Sequence, residues 1–340
     1  SESESESESE PESQTQQQQP SATMPAVQPP HYRVHEVLGA GAMGRVLRAT
    51  HHPSGQEVAI KMLLPVWRKH PEKRQLLVDE ATAAARVNDP RIVQTYDLGQ
   101  DEQGEPFLVM ELAKGKSFEE ILDVWPGWSR MSSILLDVLE ALAAAHACGV
   151  VHRDLKPANI LVSEESARIL DFGIAALREP SKGSVLIAGT PSYMAPEQLA
   201  GAARVSPTMD LYAFGVLLAE VLSDEVPFDN APSLGALYSE KTGFVCWDAP
   251  AREGLTVPRG MRLLVESLLH PEPRMRPRFA VHVANEFGAL SCYVVDRIPH
   301  RRGPGLREIR SRRPQIRDPP VGKLPALPLG EIVDHLRNAE

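Results

Sequence analysis

Near Glu111 the chain changes its hydrophobic period, and that change limits the folds open to it. Before it, residues 32–38, 45–49, 57–62 and 107–111 are short runs rich in valine and other strand formers. Turn formers such as His51-His52-Pro53-Ser54-Gly55 separate them, so they read as an antiparallel sheet. One alanine-rich helix, 73–87, interrupts the sheet and is stopped by Asn88-Asp89-Pro90. Beyond Glu111 helices take over. Residues 131–148 set Ile134, Val138, Leu142 and Ala145 on one stripe, widened by Leu135 and Leu139, and Gly149 ends the helix. Residues 209–222 are apolar nearly all round, which predicts a helix central to its lobe, and further helices run to about residue 290. The expected class is α+β in two lobes. A small antiparallel sheet with one helix occupies 31–111, and a larger, mainly α-helical lobe occupies 112–290.

The flanks differ from this middle. Residues 1–30 alternate Ser with Glu and then run into Gln and Pro, leaving too little apolar surface to offset the entropy of ordering, so they are expected to form a disordered acidic arm. Residues 291–340 are basic and proline-rich, with Arg301, Arg302, Arg307, Arg310, Arg312, Arg313 and Arg317. The net charge of -9 therefore hides a polarised distribution. The basic tail is either simply solvated or meets an acidic partner, the chain's own arm included. Ile332, Val333 and Leu336 share one face of 330–337, which predicts a short terminal helix. No aromatic residue interleaves with the arginines, so no nucleic acid is expected as a partner. No segment approaches the run of about 18 apolar residues that a membrane helix requires, so no membrane span and a cytoplasmic location are expected. Cys148, Cys246 and Cys292 are too scattered for a disulfide framework or a zinc site and are expected as small apolar residues in a reducing compartment.

Three stretches carry chemistry. "LGAGAMGRV", 38–46, places Gly39, Gly41 and Gly44 between two predicted strands, where backbone amides can approach phosphate oxygens. A hairpin loop of small residues would look the same. No helix follows, which weakens a dinucleotide-binding reading. "VAIK", 58–61, puts Lys61 in an apolar strand, where it stands either at an exposed edge or against a buried counter-charge; Glu80 on the next helix is the natural candidate. "VVHRDLKPANILV", 150–162, holds an acid, a lysine and an asparagine in one polar island between hydrophobic flanks. Such an island is either a charged surface turn or a loop that presents reacting side chains rigidly.

Taken in order, these motifs resemble those of the protein kinase family, and specifically its bacterial serine/threonine branch. The series runs from the glycine loop through "VAIK", Glu80, "HRDLKPAN" at 152–159, "DFG" at 171–173 and "GTPSYMAPE" at 189–197 to Asp210 and Arg276. The resemblance spans roughly 32–290. It implies a bilobal kinase fold and transfer of the γ-phosphoryl group of ATP to serine or threonine hydroxyls of proteins, itself among them, with Mg2+ or Mn2+ as cofactor. On that likeness Asp154 takes the acceptor's proton, Lys156 steadies the transferring phosphate, and Asn159 and Asp171 hold the metal. Lys61 grips the α- and β-phosphates, kept in place by Glu80. Leu38, Val46, Ala59 and Leu161 wall the adenine slot, Met110 stands at its back, and Glu111 and Ala113 present hinge backbone groups. Thr190 lies near Asp154 on the acceptor side. Glu197 and Arg276 form a structural ion pair, and Asp210 supports the catalytic loop. Arg153 resembles the arginine that binds a phosphorylated activation loop, with Ser184, or else Ser181, as the modified residue. His270 stands where aspartate is usual, which puts a local helix cap in doubt. Trp125 and Trp128 match nothing catalytic and are expected in surface packing.

Overall fold

The computed structural model describes residues 29–41, 44–171, 191–201 and 204–298. The acidic arm, the terminal helix expected over 330–337, and Ser181, Ser184 and Thr190 lie outside the described residues.

Strands β1 (Tyr32–Ala40), β2 (Gly44–His51), β3 (Glu57–Leu63), β4 (Thr95–Gln100) and β5 (Pro106–Glu111) form one antiparallel sheet in the order β1-β2-β3-β5-β4. Helix α1 (Pro71–Ala84) packs on it through Leu77 and Ala81, which share a cluster with Ala59, Leu98 and Leu108. Pro71 suits the first turn, whose amides lack helical partners in any case. The opposite face buries Leu47, Val58, Ile60 and Val109. Strand β4 was not expected. Its segment contains Asp97 and Gly99, and its ladder with β5 is irregular between Thr95 and Asp97. Gly99 is required there, because an added Cβ would lie 2.3 Å from the Phe107 ring.

The larger lobe begins with β6 (Lys116–Ser117) and α2 (Phe118–Val124), whose start is fixed by a reciprocal capping box between Ser117 and Glu120. Helix α3 (Trp128–Ala147) follows, then β7 (Ile160–Val162) and β8 (Ala167–Ile169), which extend β6 into a small antiparallel sheet. The rest comprises α4 (Pro196–Leu199), α5 (Pro207–Ser223), α6 (Leu234–Thr242), β9 (Leu255–Thr256), α7 (Arg259–Leu268), α8 (Ala280–Ser291) and β10 (Val295–Asp296). Helix α5 is buried along almost its whole length, as its all-round apolar pattern predicts, and α3, α7 and α8 share its core. Among the described residues no helix is long and apolar enough to cross a membrane.

Two expectations are corrected. Trp125 and Trp128 are buried rather than at the surface. The Trp128 indole N–H donates to the Ser291 carbonyl at 2.8 Å, and the Arg252 guanidinium stacks 4.3 Å from the Trp125 ring centre. The three cysteines are exposed, not apolar filling. His270 Nδ1 accepts from the Glu272 N–H at 3.1 Å, a local turn bond, and the short helical turn Pro273–Met275 that follows has no side-chain cap.

Candidate active site

The cleft between the lobes has a volume of about 790 Å³. Its roof is the β1–β2 hairpin. Gly44 is required by the sheet itself, since a Cβ there would lie 2.6 Å from the Met62 carbonyl oxygen. Gly39 is different: a Cβ there would meet nothing within 4 Å, so the chain's own packing does not demand glycine. What glycine leaves at Gly39 is free backbone above the cleft. Leu38, Gly39, Gly41, Val46, Ala59, Met110, Glu111, Ala113 and Leu161 all line it, together with Leu112, Val93 and Leu170, which the sequence did not single out. Ala59 and Met110 are cross-strand partners on β3 and β5, so the slot's wall and back are one piece of sheet. Glu111 and Ala113 face it as expected, although the Ala113 N–H is bonded to the Glu111 carbonyl at 3.1 Å.

Lys61 is not at an exposed edge. Strand β3 runs between β2 and β5, and the Lys61 Nζ donates to Glu80 Oε1 at 2.6 Å and lies 3.1 Å from Asp171 Oδ2. Burial opposes its charge, but the carboxylates of Asp171 and Glu80 outweigh that and hold the ammonium's pKa above the ordinary lysine range. Glu80 is itself buried. Burial pushes its carboxyl up and Lys61 pulls it down, while the like charge of Asp171 adds to the rise.

The floor is the loop after α3. Asp210, fully buried on α5, accepts from the backbone N–H of His152 at 2.8 Å and of Arg153 at 2.7 Å, and bonds His146 at 2.7 Å. Burial alone would raise its pKa, yet the bond and charge of His146, with help from His152 and the Arg153 amide, hold it below the usual carboxylate range. These bonds fix Arg153 in the left-handed region, φ 68°, and aim the next residue into the cleft. Asp154 there has Lys156 Nζ at 3.1 Å and accepts from Asn159 Nδ2 at 3.0 Å. Asp171 closes the floor at φ 39°, a strained backbone state for a non-glycine residue.

The donor set suits a hard divalent cation. With Nδ2 of Asn159 spent on Asp154, its carbonyl oxygen is the atom left to coordinate, beside the carboxylate of Asp171. Among the described residues no group of three or more His, Cys, Asp or Glu forms a metal cage. Two protein oxygens fit an ion of the magnesium type, which completes its shell with phosphate and water.

Below the cleft Arg276 makes a two-pronged pair with Glu197, 2.7 and 2.8 Å, and also donates to the carbonyls of His270, Thr208 and Pro271. Arg153 presents a contrast. Its Nε and Nη1 are buried with no hydrogen-bond partner among the described residues, and burial lowers its pKa.

Comparison with known proteins fits this arrangement. Residues 32–287 match the protein kinase domain. The chain belongs to the protein kinase family. It is 34% identical over 272 residues to the serine/threonine-protein kinase pkn3 of Myxococcus xanthus, covering 76% of this chain and 50% of that one. It is 36% identical over 269 residues to pkn2 of the same organism, covering 76% and 32%, and 32% identical over 256 residues to the probable serine/threonine-protein kinase PkwA of Thermomonospora curvata, covering 73% and 33%. The chain thus spans from about a third to half of the length of these curated relatives. The sheet lobe and helical lobe are those of the bilobal kinase fold, and the family uses ATP with a divalent metal.

The site also contains residues that the motifs did not announce. Arg168 on β8 donates to both carboxylate oxygens of Glu111, at 2.8 and 2.7 Å, and to the Ile92 carbonyl. No local signal marks it; its partner is 57 residues away. His146, on the last turn of α3, is read only once Asp210 is known to face it.

Proposed function

We propose that this chain is an ATP- and Mg2+-dependent protein serine/threonine kinase. The observation that carries the reading is the convergence of two charged groups on one cleft: Lys61 with Glu80 and Asp171 from above, and Asp154 with Lys156 and Asn159 from below. Asp154 receives the proton of the acceptor hydroxyl, and Lys156, within 3.1 Å of it, offsets charge as the phosphoryl group moves. Lys61 binds the α- and β-phosphates, and Glu80 fixes where its ammonium can go. Leu38, Val46, Ala59, Met110 and Leu161 hold adenine by apolar contact, with hinge backbone groups at Glu111 and Ala113. Asp171 and Asn159 hold the metal, which neutralises triphosphate charge when bound; Mn2+ is a chemically suitable substitute. The segment 189–197 receives the acceptor, with Thr190 beside Asp154. Because the reaction consumes ATP, the cleft works on the cytoplasmic side.

The kinase domain is read as 31–290, with the acidic arm and basic tail outside it. Arg153 is the regulatory cation: a phosphate on Ser184, or else Ser181, would supply the partner that its buried nitrogens lack among the described residues. The chain is read as its own substrate in that step.

The test is labelled ATP and Mg2+ with the purified chain and a generic protein acceptor, followed by phosphoamino-acid analysis. Labelled phosphoserine or phosphothreonine is expected, and Asp154→Asn should lower turnover about 100- to 10,000-fold, the usual span of a general base. Equal labelling by Asp154→Asn and Lys61→Met would assign the activity to something else. In the same experiment Ser184→Ala should remove loop phosphate and lower activity; unchanged phosphate and activity would end that assignment.

A further inference from the structure

Lys241, on α6, is a buried ammonium that the proposed reaction does not use. Its exposure is 0%. Its Nζ donates to the Ser192 carbonyl at 2.6 Å, lies 3.5 Å from the Tyr212 hydroxyl, and stands 4.9 Å from the ring centres of both Tyr212 and Phe228. No carboxylate pairs with it among the described residues. Burial, aided by the positive charge of Arg276, lowers its pKa to about 7. A methionine would fill this volume without desolvating a charge, so what the lysine adds is its bond to the Ser192 carbonyl, set against the cost of burying an ammonium.

What Lys241 touches suggests its use. Ser192 belongs to the turn Pro191–Tyr193, which lies within the segment read above as the acceptor platform. The side chains of this turn have their own tethers. Ser192 Oγ donates to Asp229 at 2.7 Å, and the Tyr193 hydroxyl donates to Glu220 at 2.6 Å. Lys241 instead grips the main chain, and the two aromatic rings around its ammonium keep it aimed there.

We infer that Lys241 is a positioning residue for the protein acceptor, its ammonium clamping the backbone of residues 191–193 in the shape that receives the acceptor chain. This rests on the reading of 189–197 as the acceptor platform. A neutral amine still donates to the carbonyl but loses the charge-assisted part of that bond and both ring attractions, so the clamp weakens as pH rises through about 7.

Other charges face the same place. Tyr212 comes from α5, and its hydroxyl stays protonated because burial raises its pKa. Arg276 stacks on the Tyr212 ring and is paired with Glu197 of α4, and Asp229 acts through Ser192. On α6 itself Glu240 points to solvent. Glu220 is the confounding group, since burial, offset in part by the Tyr193 bond, pushes it up to about 7 as well.

The experiment compares parent, Lys241→Met, Lys241→Gln and Glu220→Gln by steady-state kinetics between pH 6 and about 8.5, with casein or histone as acceptor, whichever the parent labels. Thermal melts and the KM for ATP are measured alongside. Lys241→Met should melt close to the parent's temperature, the relief of a buried charge offsetting the lost bond to Ser192, and keep its KM for ATP. Its KM for the acceptor should rise about tenfold or more, the scale of one charge-assisted hydrogen bond. Lys241→Gln should fall between. The parent's acceptor KM should climb with pH; Glu220→Gln should keep that climb and Lys241→Met should lose it. An unchanged acceptor KM in Lys241→Met would overturn the inference. So would a parallel loss of ATP use, acceptor use and melting temperature, which marks a structural role, or a pH climb abolished by Glu220→Gln alone. A parent that binds ATP but labels no protein would overturn the platform reading itself, and the clamp with it.

Discussion

Replacing Lys61 with methionine should make the fold sensitive to alkali in a way the parent is not. The replacement strands Glu80, whose side chain is only 7% exposed, next to Asp171 with no cation between them. In the parent Glu80 already sits high, at about 7, because burial outweighs the pull of Lys61. Removing that pull can only raise it further. The sign follows from linkage. A carboxyl whose folded pKa lies above its unfolded value stabilises the fold below the unfolded pKa and loses that contribution as pH rises through the folded one. Parent and variant therefore part company above about pH 7, where the parent's Glu80 has ionised and the variant's has not. Each further pH unit widens the deficit by at most about 1.4 kcal/mol, so two units give up to about 2.7 kcal/mol. For a domain of this size that is a fall in Tm of roughly 5–10 °C relative to the parent. Lys241 and Glu220 titrate in both chains and cancel in the comparison. The assay is thermal melting of parent, Lys61→Met and Lys61→Met/Glu80→Gln at pH 7 and 9, and the double variant should track the parent. Parallel curves for the parent and Lys61→Met would refute the argument, because Glu80 would then not be held charged by Lys61.

Two more outcomes follow from the ion pairs. Arg276→Met leaves Glu197 and three carbonyls without the donor that served them, and should lose about 3–5 kcal/mol, on the order of 10 °C in Tm, with only partial recovery in Arg276→Lys. A melt within a degree or two of the parent would show that the pair is dispensable. Arg168→Met frees Glu111 at the hinge; steady-state kinetics should show the KM for ATP rising by up to about fivefold with kcat little changed, the scale of one partly exposed pair. A fall in kcat alone would contradict this.

What could be read from the sequence, and what could not, divides by the distance over which each residue finds its partner. Asp154, Lys156 and Asn159 lie within one short loop, so the sequence shows them as one polar island between apolar flanks, while the roles expected of them came only from the resemblance of the whole motif series. Lys61 was legible because a charge in an apolar strand demands a counter-charge, and Glu80 was the acid within reach on the next helix. Trp128 was misread because its indole N–H is satisfied by Ser291, 163 residues away, and nothing local distinguishes a tryptophan with a distant carbonyl from one at the surface. Arg168 and Lys241 failed for the same reason, with partners 57 and 49 residues off. Strand β4 failed for another. Asp97 and Gly99 signal a turn locally, and only the Phe107 ring lying over Gly99 from the neighbouring strand makes an extended conformation favourable.

The way the two lobes are joined explains why the chemistry sits where it does. Two apolar clusters surround the sheet above and one large cluster surrounds α5 below, the last reaching up to Val87 and Ile92 of the small lobe behind the cleft. On the cleft side the links are polar. Ile169 exchanges backbone hydrogen bonds with Arg91 and Val93, Arg168 of the same strand grips Glu111, and Asp171 just beyond it meets Lys61. One strand, β8, thus reaches the hinge with one residue and the floor of the cleft three residues later. Apolar interlocking across the cleft would seal it against water and nucleotide alike. Ion pairs and single backbone bonds can be exchanged for contacts with phosphate and metal at little net change in free energy, because each group leaves one charged partner for another. For the proposed reaction, a cleft that admits a triphosphate and releases a diphosphate is better held by such exchangeable contacts, with the fixed hydrogen-bond networks kept one layer behind, at Asp210 and Arg276.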